Sequence, residues 1–268
     1  MLVKRIVSAA LGIVLLITVV ALDKFFINIA ITIISIIALY ELFSAVDNVN
    51  KIPIAWVAYI ATVFIVFGEY IYQGFKMPLL YIGVLILFVI KLISHNRIAL
   101  SHIAITIFAV IYISFFMSHI SFVKSMPNGQ LLIWLIFLGA WSTDTFAFFS
   151  GVFIGKHKLM PSISPKKTIE GAIGGILGCG GTFLLYGYII HIFRGYQVSY
   201  GYLLLLGLIC AVVSELGDLA ASSIKRQYHI KDFGNIMPGH GGVLDRFDSI
   251  IFVAPVVYYF IKNIQIFF

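Results

Sequence analysis

Long apolar stretches alternate along this chain with short breaks of polar, glycine and proline residues. A helix crossing a hydrocarbon core of ~30 Å needs about 20 consecutive apolar residues. Windowed hydropathy picks out nine such runs, at about 6–22, 25–43, 53–72, 78–93, 99–120, 131–150, 169–190, 201–222 and 249–267. The pattern predicts an all-α polytopic membrane protein of about nine transmembrane helices. The first run follows Lys4 and Arg5, as the apolar core of a signal peptide would. The second begins directly after Asp23-Lys24, and no convincing small-x-small cleavage site intervenes, so the first run is read as a retained helix.

Composition removes the soluble alternative. The 268 residues are 61% hydrophobic and 11% charged, with a mean hydropathy of +1.07. An ordinary soluble domain is nearer 45–50% apolar and about 25% charged. Nine spans of about 20 residues leave fewer than about ninety for everything else, so no separate soluble domain fits. Residues 1–268 are therefore read as one integral-membrane domain, with 1–130 as scaffold helices and candidate dimer contacts and 131–268 as the catalytic half. Cys179 and Cys210 lie inside apolar runs, away from any metal or redox spacing.

The net charge of +7 raises the question of nucleic acid, but the basic residues form no long stripe and no aromatic-interleaved surface. Orientation and an anionic substrate are better uses. The N-terminus and the even-numbered connections hold 13 of the 18 basic residues. The positive-inside rule then puts the N-terminus and the two longest polar loops, roughly 151–168 and 223–248, in the cytoplasm. Without the eight basic residues of those two loops the sides are level at five each, so most of the asymmetry belongs to the loops themselves.

Those loops also hold most of the glycine, proline and histidine that membrane helices do not need. The first contains Gly155-Lys156-His157-Lys158 and Ser164-Pro165-Lys166-Lys167-Thr168-Ile169-Glu170-Gly171. Its basic residues stand beside the start of the seventh helix, where unpaired N–H groups and the dipole favour anions. Phosphate binding and contact with lipid headgroups both suit it; a Walker loop does not, since no G-x-x-x-x-G-K-[ST] occurs.

Two flanking helices carry acids, Asp144 and Asp218. Charge inside a bilayer costs about 2.5–3.5 kcal/mol, so such acids pair, line a wet cavity or hold a cation. Ser214, Asp218, Ser222 and Lys225 recur at helical spacing as a polar stripe. At the start of the seventh helix, Gly171, Gly174, Gly175 and Gly178 form a nearly bare face, read as close helix packing.

The last long loop, Ser222 to Asp248, is the most informative. Asp245 and Asp248 share a face if the ninth helix starts there, and two carboxylates at i, i+3 suit Mg²⁺, which takes its other ligands from phosphates and water. Gly239, Gly241 and Gly242 allow close backbone approach to a phosphate. Lys225, Arg226, Lys231 and Arg246 surround them with positive charge, and His240 is a general base or a phosphate donor. At a membrane surface this combination points to phosphoryl or nucleotidyl transfer between a soluble anion and a lipid.

The segment reads S-x-apolar-K-R, four residues, K-D-x-small, two residues, then apolar-P-x-H-G-G-apolar-x-D-R-apolar-D. It resembles the pattern of the phosphatidate cytidylyltransferases, or CDP-diacylglycerol synthases, with Met237 where Leu, Ile or Phe is usual. The similarity extends to Lys4-Arg5, Asp144-Thr145-x-Ala147, Gly155 to Lys158 and Ser164 to Gly171. It implies an Mg²⁺-dependent enzyme joining CTP and phosphatidate into CDP-diacylglycerol and pyrophosphate. It further implies a homodimer in a membrane, the bacterial inner membrane, with a polar cavity facing the cytoplasm.

By position, the resemblance makes Asp218 and Asp245 the metal carboxylates with Asp248 nearby. Lys166, Lys167, Lys225, Arg226, Lys231 and Arg246 then handle phosphates, Asp144, Ser222, Gly241 and Gly242 belong to the substrate site, and Lys225 and His240 count with the three aspartates among the catalytic residues. Three rivals stand beside this reading. An ion-coupled transporter also uses intramembrane acids. A CTP-dependent lipid-alcohol kinase would release CDP. A CDP-alcohol phosphotransferase would need a D-G-x2-A-R run that is absent.

Overall fold

A computed structural model describes residues 2–46, 54–71, 76–94, 97–237 and 241–268. The helices are α1 (Leu2–Ala21), α2 (Lys24–Val46), α3 (Ala55–Ile71), α4 (Lys76–Ile93), α5 (Leu100–Ala109), α6 (Phe116–Lys124), α7 (Gly129–Ile154), α8 (Ile169–Arg194), α9 (Tyr200–Gln227) and α10 (Leu244–Asn263). A π-helical stretch, Val110–Phe115, joins α5 to α6 without a break. Among the described residues five helical segments are long and apolar enough to cross a membrane: α2, the α5–α6 rod, α7, α8 and α9. Shorter apolar helices cover Ala10–Ala21, Ala55–Gly68 and Pro78–Ile93. The protein is thus a multi-pass, helical membrane protein. Helices suit that solvent because they satisfy every backbone polar group within the segment. Fully apolar side chains such as Leu92, Phe153 and Phe193 stand more than two-thirds exposed, as lipid-facing residues do.

Two expectations need correcting. The 151–168 segment is not all loop: α7 runs on to Ile154, and β1 (Lys158–Met160) pairs antiparallel with β2 (Ser164–Thr168). The last helix ends at Asn263, because the chain then pairs with residues 197–199, Ser199 N donating to Ile266 O at 3.0 Å and Phe268 N to Gln197 O at 2.9 Å.

The chain divides into two compact units, Met1–Ser121 with Ile230–Arg246, and Phe122–His229 with Phe247–Phe268. In the first, α2, α3 and the π-helical stretch pack together. Several of their buried polar groups are paired, as an apolar interior favours, although the Thr32 and Ser35 hydroxyls of α2 have no hydrogen-bond partner among the described residues. The Asn28 amide donates to Val66 O at 3.3 Å, and the Thr62 and Ser114 hydroxyls share a hydrogen bond at 2.7 Å.

In the second unit α8 packs against α7 and α9. Its glycine face is where α7 comes close. A Cβ on Gly171 would stand 2.9 Å from Ala147 O and one on Gly175 3.1 Å from Thr143 O, while side chains at 174 and 178 would collide with Ser150 and Phe146. Thr168 caps α8 by accepting from Gly171 N at 3.1 Å, and Gly195 ends it at φ 71°.

Candidate active site

In the second unit, α7, β2, α8 and α9 enclose a cavity of about 420 Å³. Asp144, Lys166, Lys167, Glu215 and Asp218 supply its charged lining, and Ala147, Phe148, Val152 and Ala172 its apolar lining. The Lys167 ammonium pairs with Asp218 Oδ2 at 2.7 Å, and Ser222 Oγ donates weakly to Asp218 Oδ1 at 3.4 Å. α9 extends to Gln227, so Ser222, Lys225 and Arg226 lie on a helix rather than in a loop. On the neighbouring helix α10, buried Asp248 lies within electrostatic reach of Asp218, Asp144 and the Lys225 ammonium. Gly217 makes that approach possible, since a Cβ there would stand 2.8 Å from Asp248 O. Four residues named from the sequence, Asp144, Asp218, Lys225 and Asp248, are thereby brought together, with Lys167 directly on Asp218.

The β-hairpin that carries Lys166 and Lys167 is fixed at both ends. At its base the Glu170 carboxylate accepts from Lys156 N at 3.0 Å, from His157 N at 3.2 Å and from His157 Nδ1 at 2.6 Å. At its tip Arg226 Nε donates to Ile163 O at 3.2 Å. Arg226 thus serves the hairpin's backbone here, while Lys166 stays exposed at the cavity rim.

In the first unit, residues 230–237 and 241–246 surround Asp245, which is 7% exposed. Asp245 Oδ2 accepts from Phe233 N at 2.8 Å and from Gly242 N at 3.0 Å. Gly241 sits at φ 83°, in the left-handed region that favours glycine, with its absent Cβ position 3.2 Å from Asp245 Oδ2. Met237 N donates to Gly241 O at 3.0 Å. Pro238, Gly239 and His240 between them lie outside the described residues, and so does the role expected for His240. Lys231 and Arg246 are exposed. Asp245 and Asp248 both fall in the first turns of α10, three residues apart and so on one side of that helix.

Sequence reasoning passed over two acids. Glu215 is buried, lines the cavity and leaves Oε1 without a hydrogen-bond partner; its place one turn before Asp218 was the available signal. Glu41, 2% exposed in α2, accepts from Val243 N at 2.9 Å and Leu244 N at 2.8 Å. Only its being an acid within an apolar run marked it.

Among the described residues no cluster of three or more His, Cys, Asp or Glu side chains is arranged to hold a metal by itself. The donors present are nonetheless hard carboxylate oxygens at a cavity, and Mg²⁺ commonly uses only one or two of these beside phosphates and water. The donor chemistry therefore fits a divalent cation.

Residues 3–264 match the model of a family described as the cytidylyltransferase family. The phosphatidate cytidylyltransferase of Bacillus subtilis (strain 168) is 38% identical over 185 residues, covering 69% of this chain and 67% of that protein. That of Rickettsia bellii (strain RML369-C) is 40% identical over 184 residues, 68% of this chain and 80% of that protein. That of Staphylococcus haemolyticus (strain JCSC1435) is 40% identical over 165 residues, 62% of this chain and 61% of that protein.

Proposed function

Because this chain belongs to the cytidylyltransferase family, and is thus a nucleotidyltransferase, we propose that its substrates are CTP and phosphatidate and its products CDP-diacylglycerol and pyrophosphate. The observation that carries the reading is the mixed lining of the cavity. Lys166, Lys167, Asp144, Glu215 and Asp218 make part of it ionic, while Phe148 and Val152, both nearly two-thirds exposed on α7, make part of it lipid-like. A phosphate-bearing lipid needs both kinds of surface. Relatives bearing the name phosphatidate cytidylyltransferase support the same substrate pair.

In this mechanism a phosphatidate oxygen attacks the α-phosphorus of CTP, the α–β bond breaks, and pyrophosphate leaves. Lys166 and Lys167 hold nucleotide phosphates, with Lys225, Arg226, Lys231 and Arg246 as further phosphate contacts. Asp218, Asp245 and Asp248 are the carboxylates available to Mg²⁺, which when bound offsets charge on the phosphate oxygens. Asp144, Ser222, Gly241 and Gly242 complete the substrate contacts of this reading. No covalent nucleophile is needed, since the phosphatidate oxygen attacks directly, and ammonium and guanidinium groups meet the charge of the in-line displacement. The reading also includes about nine spans, an inner-membrane location with the polar loops in the cytoplasm, and a homodimer, which oligomeric state in detergent tests.

The deciding experiment incubates purified protein with phosphatidate, CTP and Mg²⁺ and follows both products. CDP-diacylglycerol with pyrophosphate is expected. Release of CDP instead would mean attack at the γ-phosphorus and a lipid kinase, and no lipid nucleotide with CTP or dCTP would sink the proposal. Asp245→Asn is expected to abolish turnover in a protein that stays folded; retained activity would remove Asp245 from the metal site.

A further inference from the structure

Three consecutive backbone N–H groups at the start of α10 are divided between two carboxylates. Gly242 N donates to Asp245, while Val243 N and Leu244 N donate to the two oxygens of Glu41, 202 and 203 residues earlier in the chain. These are among the N–H groups that a helix start leaves without an intrahelical acceptor, and the helix dipole favours an anion on them. The turn is shaped around Glu41. A Cβ on Gly242 would stand 2.6 Å from Glu41 Oε2, and one on Gly234 would also collide with that carboxylate. Glu41 is buried in α2, and the hydrogen bonds its carboxylate accepts come from the backbone that presents Asp245.

We infer that Glu41 is a positioning residue for Asp245: by fixing Val243 and Leu244 it sets where Gly242 N lies, and so how the Asp245 carboxylate is aimed. This rests on the proposed role of Asp245 as a metal carboxylate. Glu41 touches neither metal nor phosphate; it acts through the turn. Groups that orient a ligand in this way typically change metal affinity or activity by 10–100-fold when altered.

Glu41→Gln tests it, since the amide keeps one acceptor oxygen and turns an N–H₂ toward the other backbone donor. Direct Mn²⁺ binding to the purified protein is measured by electron paramagnetic resonance, beside thermal unfolding in detergent and Mg²⁺-dependent turnover. The expected result is Mn²⁺ affinity lowered at least about tenfold, a matching rise in the Mg²⁺ needed for half-maximal rate, and an unchanged KM for phosphatidate. On an Asp245→Asn background the same substitution should add nothing. Unchanged Mn²⁺ affinity, with or without a lower unfolding temperature, overturns the inference, because a merely structural acid would leave metal binding alone. If Glu41→Gln does not fold, Gly234→Ala, which presses on the same carboxylate, gives the second measurement, and failure of both to fold assigns Glu41 to stability and refutes the proposal. Saturable Mn²⁺ binding by a wild-type protein that makes no CDP-diacylglycerol would remove the substrate assignment and leave this inference standing. No saturable binding by the wild type would overturn the inference itself.

Discussion

Removing the Lys167–Asp218 pair one partner at a time should expose how strongly the hairpin is held to α9. At 2.7 Å and an effective dielectric constant of about 20, the Coulomb attraction is about 6 kcal/mol. Both side chains remain about a quarter exposed, so desolvation and screening offset most of it. Exposed pairs are worth about 0–1 kcal/mol, and breaking a buried pair costs about 3–5; a coupling of about 1–2 kcal/mol lies between these limits. A double-mutant cycle of Lys167→Met, Asp218→Asn and the double variant, read by thermal unfolding in detergent without substrate, measures the coupling directly. High salt should reduce it, since the pair is partly exposed. Loss of Lys167 should separately lower kcat/KM about 10–100-fold, as expected for a charge-assisted hydrogen bond to phosphate of about 1.5–3 kcal/mol. A coupling below about 0.3 kcal/mol, which is within the scatter of independent sites, would refute the claim that this pair fastens the hairpin.

Two further perturbations address the hairpin and the glycine seam. Glu170→Gln should free the hairpin base, seen as faster tryptic cleavage at Lys156 and Lys158 and a raised KM for CTP; an unchanged cleavage rate would mean that β1–β2 pairing alone holds the loop. Gly171→Ala should destabilise by about 1–3 kcal/mol, the usual cost of overpacking, because its Cβ meets Ala147 O. Gly181→Ala, with nothing within 4 Å of the new Cβ, should stabilise by about 0.5–1 kcal/mol through helix propensity, and equal unfolding temperatures for the two variants would contradict the packing assigned to this seam.

Long apolar runs announce a helix wherever they occur, so α2, α7, α8 and α9 were legible from the sequence. Their ends were not, because Ser223 to Gln227 continue α9 with mostly polar residues that look like loop, and α7 runs past Gly151, a residue that reads as a break, to Ile154. The hairpin had no local signal: Lys158-Leu159-Met160 is short, Ser164-Pro165-Lys166-Lys167-Thr168 lacks apolar alternation, and its anchors at Glu170 and Arg226 are tertiary. Asp144 and Asp218 were visible because acids among apolar residues are conspicuous, and Asp248 through its i, i+3 spacing from Asp245. Glu41 was equally conspicuous, yet its meaning depended on backbone N–H groups some 200 residues away, which no spacing rule reaches.

The two points at which the hairpin meets α9 also measure distance. From Asp218 to Arg226 is eight residues of helix, about 12 Å at 1.5 Å each; from Lys167 back to Ile163 is four residues of extended chain, about 13 Å at 3.3 Å each. The two lengths agree, and the chain directions oppose, so the hairpin lies along α9 as a scale lies along a rod. A segment rich in glycine, proline and serine would ordinarily be free to gain or lose residues. Here, one residue added to β2 would carry Ile163 past Arg226, and one added to α9 between its two anchors would rotate one about 100° further round the helix from the other. The length of this surface loop is consequently as constrained as the spacing of a core helix.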